Sequence, residues 1–317
     1  MAGSIIRVAP VFKGFQHVKK YRTVSGKGES MSADSYTLIS PLRCDTAVIF
    51  SSPHSGRDYG AAFLAQSPLD AMAIRSSEDA FVDQIFAAAP LHGAPLLAAC
   101  APRAFIDLNR ACDELDPAVI DGVARTSHNP RVSSGLGVIP RVVANGRQIY
   151  RQRLALAEAQ ARIARYWHPY HTALHGLIEA AHAAHGQAVL IDCHSMPHEA
   201  IESHIRPGNP RPDVVLGDRF GAAADREVMD RVEAAFAGTG LTVARNAPFA
   251  GAYIAQHYGR PSRRQHVVQI EIDRALYMDE ARITPRADFA AFCALMAGVV
   301  AEIACIGRPE AMPLVAE

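Results

Sequence analysis

Short apolar runs dominated by Val, Ile and Leu recur along the chain at residues 46–52, 95–100, 104–107, 188–192, 213–216, 241–245 and 266–272. Their apolar character is nearly continuous, which predicts strands covered on both faces rather than strands with one wet face. Between them the spacing becomes helical. In "EDAFVDQIFAAA" Phe81, Ile85 and Ala88 fall on one stripe, with Glu78 and Asp79 near the N-terminus, where acids suit the helix dipole. The longest helical pattern runs over 148–185, with Pro169 expected to kink or divide it and Gly186 to stop it. Two further helices are predicted over "ADREVMDRVEAAFAG" and "RADFAAFCALMAGVVAEIAC", and long loops over 111–147 and 193–212. Strands alternating with helices imply a mainly parallel sheet with helices on both faces, whose ligands sit at the carboxyl ends of the strands.

Composition narrows the classes. The 317 residues allow one large α/β domain or two small ones. Net charge is zero with His neutral, so no electrostatic case exists for nucleic acid or an anionic membrane as partner. Cys44, Cys100, Cys112, Cys193, Cys293 and Cys305 are scattered with no CxxC pair, which argues against a disulfide framework and fits a reducing cytosol. No secretory leader pattern is visible, and a cytoplasmic protein is expected. Residues 1–35 carry a basic bias and little that could form a core; they are expected to be a poorly ordered extension before one α/β domain over 36–317. Nothing in the sequence bears on oligomeric state.

The chemistry gathers where the strands end. "SSPHSG", "AFIDLNR", "IDCHSMP" and "QIEIDR" each deliver polar or ionisable residues to the same edge of the predicted sheet. Asp192 and His194 are two apart and share a strand face, a carboxylate beside an imidazole that can fix its tautomer for a metal. Gln269, Glu271 and Asp273 share one face of the last strand, and a carboxylate in an apolar strand is costly unless it has a partner or a task. Together these residues make a sensible zinc set: imidazoles from His54 and His194, an oxygen from Glu78 or Asp79, and an open position for water. Glu271 is then the candidate general base.

Competing readings are weaker. His168, His171, His175 and His182 can share a helix face, but no HExxH arrangement accompanies them, and hydrogen-bonded histidines on a half-exposed face are the simpler account. There is no GxSxG elbow for a serine hydrolase and no GxxxxGK[ST] loop for a nucleotide. Ser55 and Ser195 fit turn shaping better than nucleophilic attack.

The segments "FSSPHSG", "FIDLNR", "DCHSMP", "GDRFG", "NAPFAGAYIAQHYGRP" and "HVVQIEIDRALYMDE" occur in an order that resembles the N-formylglutamate amidohydrolase family, over roughly residues 40–300. The resemblance implies a three-layer αβα sandwich of the zinc-exopeptidase type and hydrolysis of N-formyl-L-glutamate to formate and L-glutamate, a step of histidine degradation. It implies His54 and His194 as zinc ligands with Asp79 as the acidic one and Glu78 in reserve. It also implies Glu271 as the catalytic carboxylate and Asn109 with Arg110 as holders of a substrate carboxylate. Arg110 or nearby N–H groups are candidates for oxyanion stabilisation, and Tyr253, Arg260 and Arg274 for the second carboxylate or the polarised carbonyl. Two departures stand out. Arg57 occupies the position, three after His54, where carboxypeptidases place the acidic ligand, and Ala252 replaces a more usual Gly. Deacylation of another small N-acyl amino acid or short peptide, or a non-catalytic metal-binding module, are the alternative functions.

Overall fold

The computed structural model describes residues 34–124, 129–202 and 211–308. The basic extension expected over residues 1–35 lies outside them apart from Asp34 and Ser35. Seven strands make one sheet: β1 (Tyr36–Ile39), β2 (Val48–Ser52), β3 (Leu96–Ala99), β4 (Ala188–Met196), β5 (Val214–Gly217), β6 (Val243–Arg245) and β7 (Gln265–Asp273). Their order is β1-β3-β2-β4-β7-β5-β6. The core pairings β3/β2, β2/β4 and β4/β7 are parallel, as is β5/β6, while β1/β3 and β5/β7 are antiparallel. This is the mainly parallel mixed sheet of an α/β fold.

Both faces are covered, as the continuous apolar runs required. Ile49, Leu97, Leu190 and Val267 pack on one face with Tyr170, Leu174 and Ile178 of α1 (His168–His185). Phe50, Ile191, Val268 and Ile270 pack on the other with Val232 of α2 (Arg226–Ala234), the short α3 (Tyr253–Tyr258) lying on the first side. Met296 and Val300 of α4 (Phe289–Ala304) complete that second layer.

Three expectations are corrected. Residues 104–107 form a turn, closed by Phe105 and Ile106 N–H donating to the Pro102 carbonyl, and not a strand. Ala104, Ile106 and Leu108 are apolar because they are buried in the core beside α1. The helix expected over 148–185 starts only at Leu156, and a π-helical turn over Ile163–Trp167 joins its first part to α1. Pro169 has no N–H to give the Arg165 carbonyl, and the ladder widens just before it. Strand β4, expected to stop at 192, runs through His194 and Ser195 to Met196, in register with Gln269–Asp273 of β7.

The turn after His54 depends on a missing side chain. A Cβ on Gly56 would lie 2.0 Å from the Ala101 carbonyl oxygen, so the "PHSG" turn can press against the Cys100–Ala101 backbone only with glycine there. Gly56→Ala is expected to destabilise the fold by about 1–3 kcal/mol, since backbone must move to admit the methyl. A lower urea midpoint at unchanged slope checks this, and an unchanged midpoint refutes it.

Candidate active site

Period-two geometry sets the polar side chains of the two central strands on one face. Leu190 and Val267 face α1, so Asp192, His194, Gln269 and Glu271 also point to that side. His194 and Glu271 are direct partners in the β4/β7 pairing. His54 arrives from the turn after β2, and the Asp79 backbone N–H donates to the His54 carbonyl at 3.0 Å, joining the Ser76–Ala80 segment to that turn.

His54, Asp79 and His194 converge, all buried, with one nitrogen or oxygen of each within 4.8 Å of the others. The inward atoms are imidazole Nδ1 in both cases. His194 Nδ1 is 3.0 Å and His54 Nδ1 3.5 Å from Asp79 Oδ2, and His54 Nδ1 is buried without a hydrogen-bond partner among the described residues. The outward nitrogens meet carboxylates: His54 Nε2 with Asp107 Oδ1 at 2.7 Å, and His194 Nε2 with Asp192 Oδ2 at 3.0 Å. Asp192 is held by hydrogen bonds from Ser51 Oγ at 3.1 Å and Asn109 Nδ2 at 3.2 Å. The other oxygen of Asp79 accepts from Arg274 Nη2 at 3.0 Å. Each imidazole thus turns one nitrogen to a shared carboxylate oxygen and has the other fixed by an acid, the arrangement that orients metal-binding histidines.

The charges are strongly biased. Burial works against the Asp79 anion, but His194 and His54 hold its carboxyl well below the usual range. The same contest, decided by the His54 and Arg103 charges, holds Asp107 well below it. Burial opposes the His194 cation, yet Asp192 and Asp79 raise its pKa well above the ordinary imidazole value. Glu271 goes the opposite way: burial pushes its carboxyl up to about 7, although the His194 and Arg103 charges pull against the rise. Its Oε1 accepts from Gln269 Nε2 at 2.7 Å, and Gln269 Oε1 accepts from the Ala252 N–H at 3.1 Å, so one amide positions both the carboxylate and the loop before α3.

Glu271, His54, His194 and Arg103 line a cavity of about 590 Å³. Arg103 was not singled out by the sequence; its Nε donates to Asp107 Oδ2 at 3.1 Å. Burial disfavours the Arg103 charge, but the attraction of Asp107, Asp79 and Glu271 raises its pKa. Arg110 also lines the cavity, donating from Nε to Leu136 O and from Nη1 to Asn109 O. Trp167 Nε1 in turn donates to Arg110 O and His171 meets Leu108 O, so the π-turn and α1 hold the 108–110 turn from behind.

Several expected site residues are placed elsewhere or otherwise engaged. Glu78 is bound by Arg75 and Tyr59 and stands outside the His–Asp–His group. Asn109 has both ends of its amide committed, to Asp192 and to the Ile254 N–H, so it braces the site. Arg274 donates to Ser195 Oγ, Ser76 O and Asp79, which makes it a support of Asp79. Tyr253 stacks on His257 and meets Trp167 at a tilt, and exposed Arg260 donates to Gln256 O and Gly259 O; neither lines the cavity. Arg57 forms a two-pronged pair with Asp83. Ser55 bonds Ser52. On the histidine-rich helix, His171, His175 and His182 bond Tyr258 and Leu108, Glu179, and Arg263 respectively.

Among the described residues no helix is long and apolar enough to cross a membrane. A family model described as N-formylglutamate amidohydrolase matches residues 46–278. An N-formylglutamate deformylase of Pseudomonas aeruginosa is 32% identical over 258 residues, covering 80% of this chain and 90% of its own. The crystal structure of an N-formylglutamate amidohydrolase from Ralstonia eutropha JMP134 superposes with a TM-score of 0.81 at 36% identity, over 86% of this chain and 98% of that one. A gene product of Agrobacterium tumefaciens shares the fold, with a TM-score of 0.56 at 18% identity over 85% of this chain and 96% of its own.

Proposed function

The chain belongs to the N-formylglutamate amidohydrolase family and is a hydrolase of amide bonds, and from that premise we propose that it cleaves N-formyl-L-glutamate to formate and L-glutamate with zinc as cofactor. The observation that carries the metal is the buried His54 Nδ1, without a hydrogen-bond partner and aimed with His194 Nδ1 at one oxygen of Asp79. Two imidazole nitrogens and a carboxylate oxygen with acids behind both rings are a donor set that suits zinc. Bound there, zinc supplies the Lewis-acid charge that acidifies a water and polarises the formyl carbonyl.

The chain's own residues do the rest. Glu271 takes a proton from the attacking water and returns it to the amide nitrogen as the C–N bond breaks, which gives formate and the free amine. Gln269 occupies one of its carboxylate oxygens and leaves the second for the proton. Arg103, whose charge interacts with Asp79 and Glu271, offsets the negative charge that develops on the reacting carbonyl. Arg110, which lines the same cavity and whose charged neighbours are Asp107, Arg103, Arg131 and Glu114, binds the substrate's α-carboxylate. The protein works in the cytoplasm, consistent with its unpaired cysteines.

The deciding assay follows formate and glutamate release from N-formyl-L-glutamate, with N-acetyl- and N-succinyl-L-glutamate beside it. Metal-dependent turnover of the formyl compound alone supports the reading, and turnover only of the larger acyl compounds overturns the substrate. Asp107 gives a separate check. Asp107→Asn weakens the grip on the His54 ring and lowers zinc affinity by about 10–100-fold in a competition titration with a chromophoric chelator. An unchanged affinity means that Asp107 serves Arg103 and the Asn109 N–H rather than the zinc site.

A further inference from the structure

Four guanidinium groups line the cavity, and they differ in what already satisfies them. Arg103 is paired with Asp107 and Arg274 with Asp79. Arg110 donates to two backbone carbonyls, and its ion pair with Glu114 is stretched to 4.0 Å. Arg131, on the short helix Pro130–Ser133, is exposed and makes no side-chain hydrogen bond or ion pair among the described residues.

Arg110 and Arg131 are also coupled through one residue. The Leu136 N–H donates to Arg131 O at 2.9 Å, and Leu136 O accepts from Arg110 Nε at 2.9 Å. Burial lowers the Arg110 pKa, and the Arg103 and Arg131 charges add to the fall while Asp107 opposes it. Two mutually repelling cations therefore face one cavity, and Glu114, the carboxylate that acts on both, stands 4.0 Å from Arg110 Nε and forms no ion pair with Arg131 among the described residues, an arrangement that an anion with two negative groups relieves.

We infer that Arg131 receives the side-chain carboxylate of an acidic N-acyl amino acid while Arg110 receives its α-carboxylate. This rests on the proposed amidohydrolase reading and adds to it the residue that selects a dicarboxylic substrate. The residues expected from sequence for the second carboxylate are otherwise engaged: Arg274 is bound to Asp79, and Tyr253 and Arg260 stand outside the cavity. A guanidinium that is exposed, on the cavity wall and without a hydrogen bond or ion pair among the described residues can meet a carboxylate without first breaking a bond. Its fork then matches the two oxygens.

The test compares N-formyl-L-glutamate with N-formyl-L-glutamine, nearly equal in shape and different in side-chain charge, on wild type, Arg131→Gln, Arg131→Lys and Arg110→Gln. Wild type prefers the glutamate compound. Arg131→Gln lowers kcat/KM for it by roughly 10- to 100-fold, mostly through KM, because one charge-assisted bond is lost. The glutamine compound is hardly affected, so the preference collapses, and Arg131→Lys restores part of it. Arg110→Gln lowers both substrates alike. Because Arg131 is exposed, the thermal midpoint of its variants stays at the wild-type value. Wild-type turnover with an Arg131→Gln preference equal to the wild-type one overturns the inference and leaves the function standing. Turnover of neither compound by zinc-loaded wild type overturns the function, and the inference with it.

Discussion

Replacing Glu271 with Gln lowers kcat on N-formyl-L-glutamate by about 10²–10⁴-fold, the range associated with loss of a positioned general base. KM changes little, because the amide keeps the shape of the carboxylate and Arg110 is untouched. The direction of the pH dependence follows from the same group. A base works deprotonated, so kcat/KM rises with pH as Glu271 loses its proton and levels off above its pKa. Burial sets that pKa at about 7 in the protein alone, and a cation held by His54, Asp79 and His194 draws it lower. The acid limb of the profile is therefore expected at or below pH of about 7 in wild type and is absent from the residual activity of the Glu271→Gln variant. A variant that keeps wild-type kcat, or loses activity but keeps the same acid limb, assigns the proton transfer to another group.

If the proposed zinc mechanism holds, stripping metal with a chelator is expected to abolish turnover, and added zinc to restore it. The readout need not be activity alone. An ion that binds only the folded chain raises its stability by RT ln(1 + [L]/Kd), about 2.7 kcal/mol at a hundredfold excess over Kd, and so raises the thermal midpoint. Uptake also displaces protons from His194, whose pKa is raised by Asp192 and Asp79, so zinc binds more tightly as pH rises through the range where that ring deprotonates. His194→Ala removes one of the two nitrogens and should abolish the zinc-dependent rise in midpoint as well as turnover. Full activity at undetectable metal content defeats the zinc mechanism, and a midpoint that zinc raises equally in His194→Ala places the ion elsewhere.

Much of this architecture was visible in the chain. The buried strands announced themselves through unbroken Val, Ile and Leu runs, and the His, Asp and Glu at their ends could be read as a constellation because period two fixes which side chains share a face. What the sequence hid was where hydrogen bonds go. Asn109 and Arg274 look from sequence like free substrate ligands, yet the protein's own groups take both ends of one and all three guanidinium nitrogens of the other. Asp107 stands two residues before Asn109 in an otherwise apolar stretch, a usable signal, but its pairing with His54 joins positions 53 apart. Arg131 gave no signal, being one Arg among many in a long polar loop until that loop is folded against the cavity. The strand expected over 104–107 failed for a related reason: hydrophobic content reports burial, and here a turn reaches the core without joining the sheet.

The pairing of His194 with Glu271 across β4 and β7 also constrains how the molecule can go wrong. Shifting β7 by a single residue turns every side chain to the opposite face. Gln269 and Glu271 would then enter the layer packed by Val232, Met296 and Val300, while Val268 and Ile270 would take their places beside Asp192 and His194. Such a misaligned chain both buries unpartnered polar groups and strips apolar contacts, so it has no stable folded form in which to accumulate. A one-residue insertion or deletion inside Gln265–Asp273 should therefore appear in a cell as missing protein, removed by proteolysis, rather than as intact but inactive enzyme.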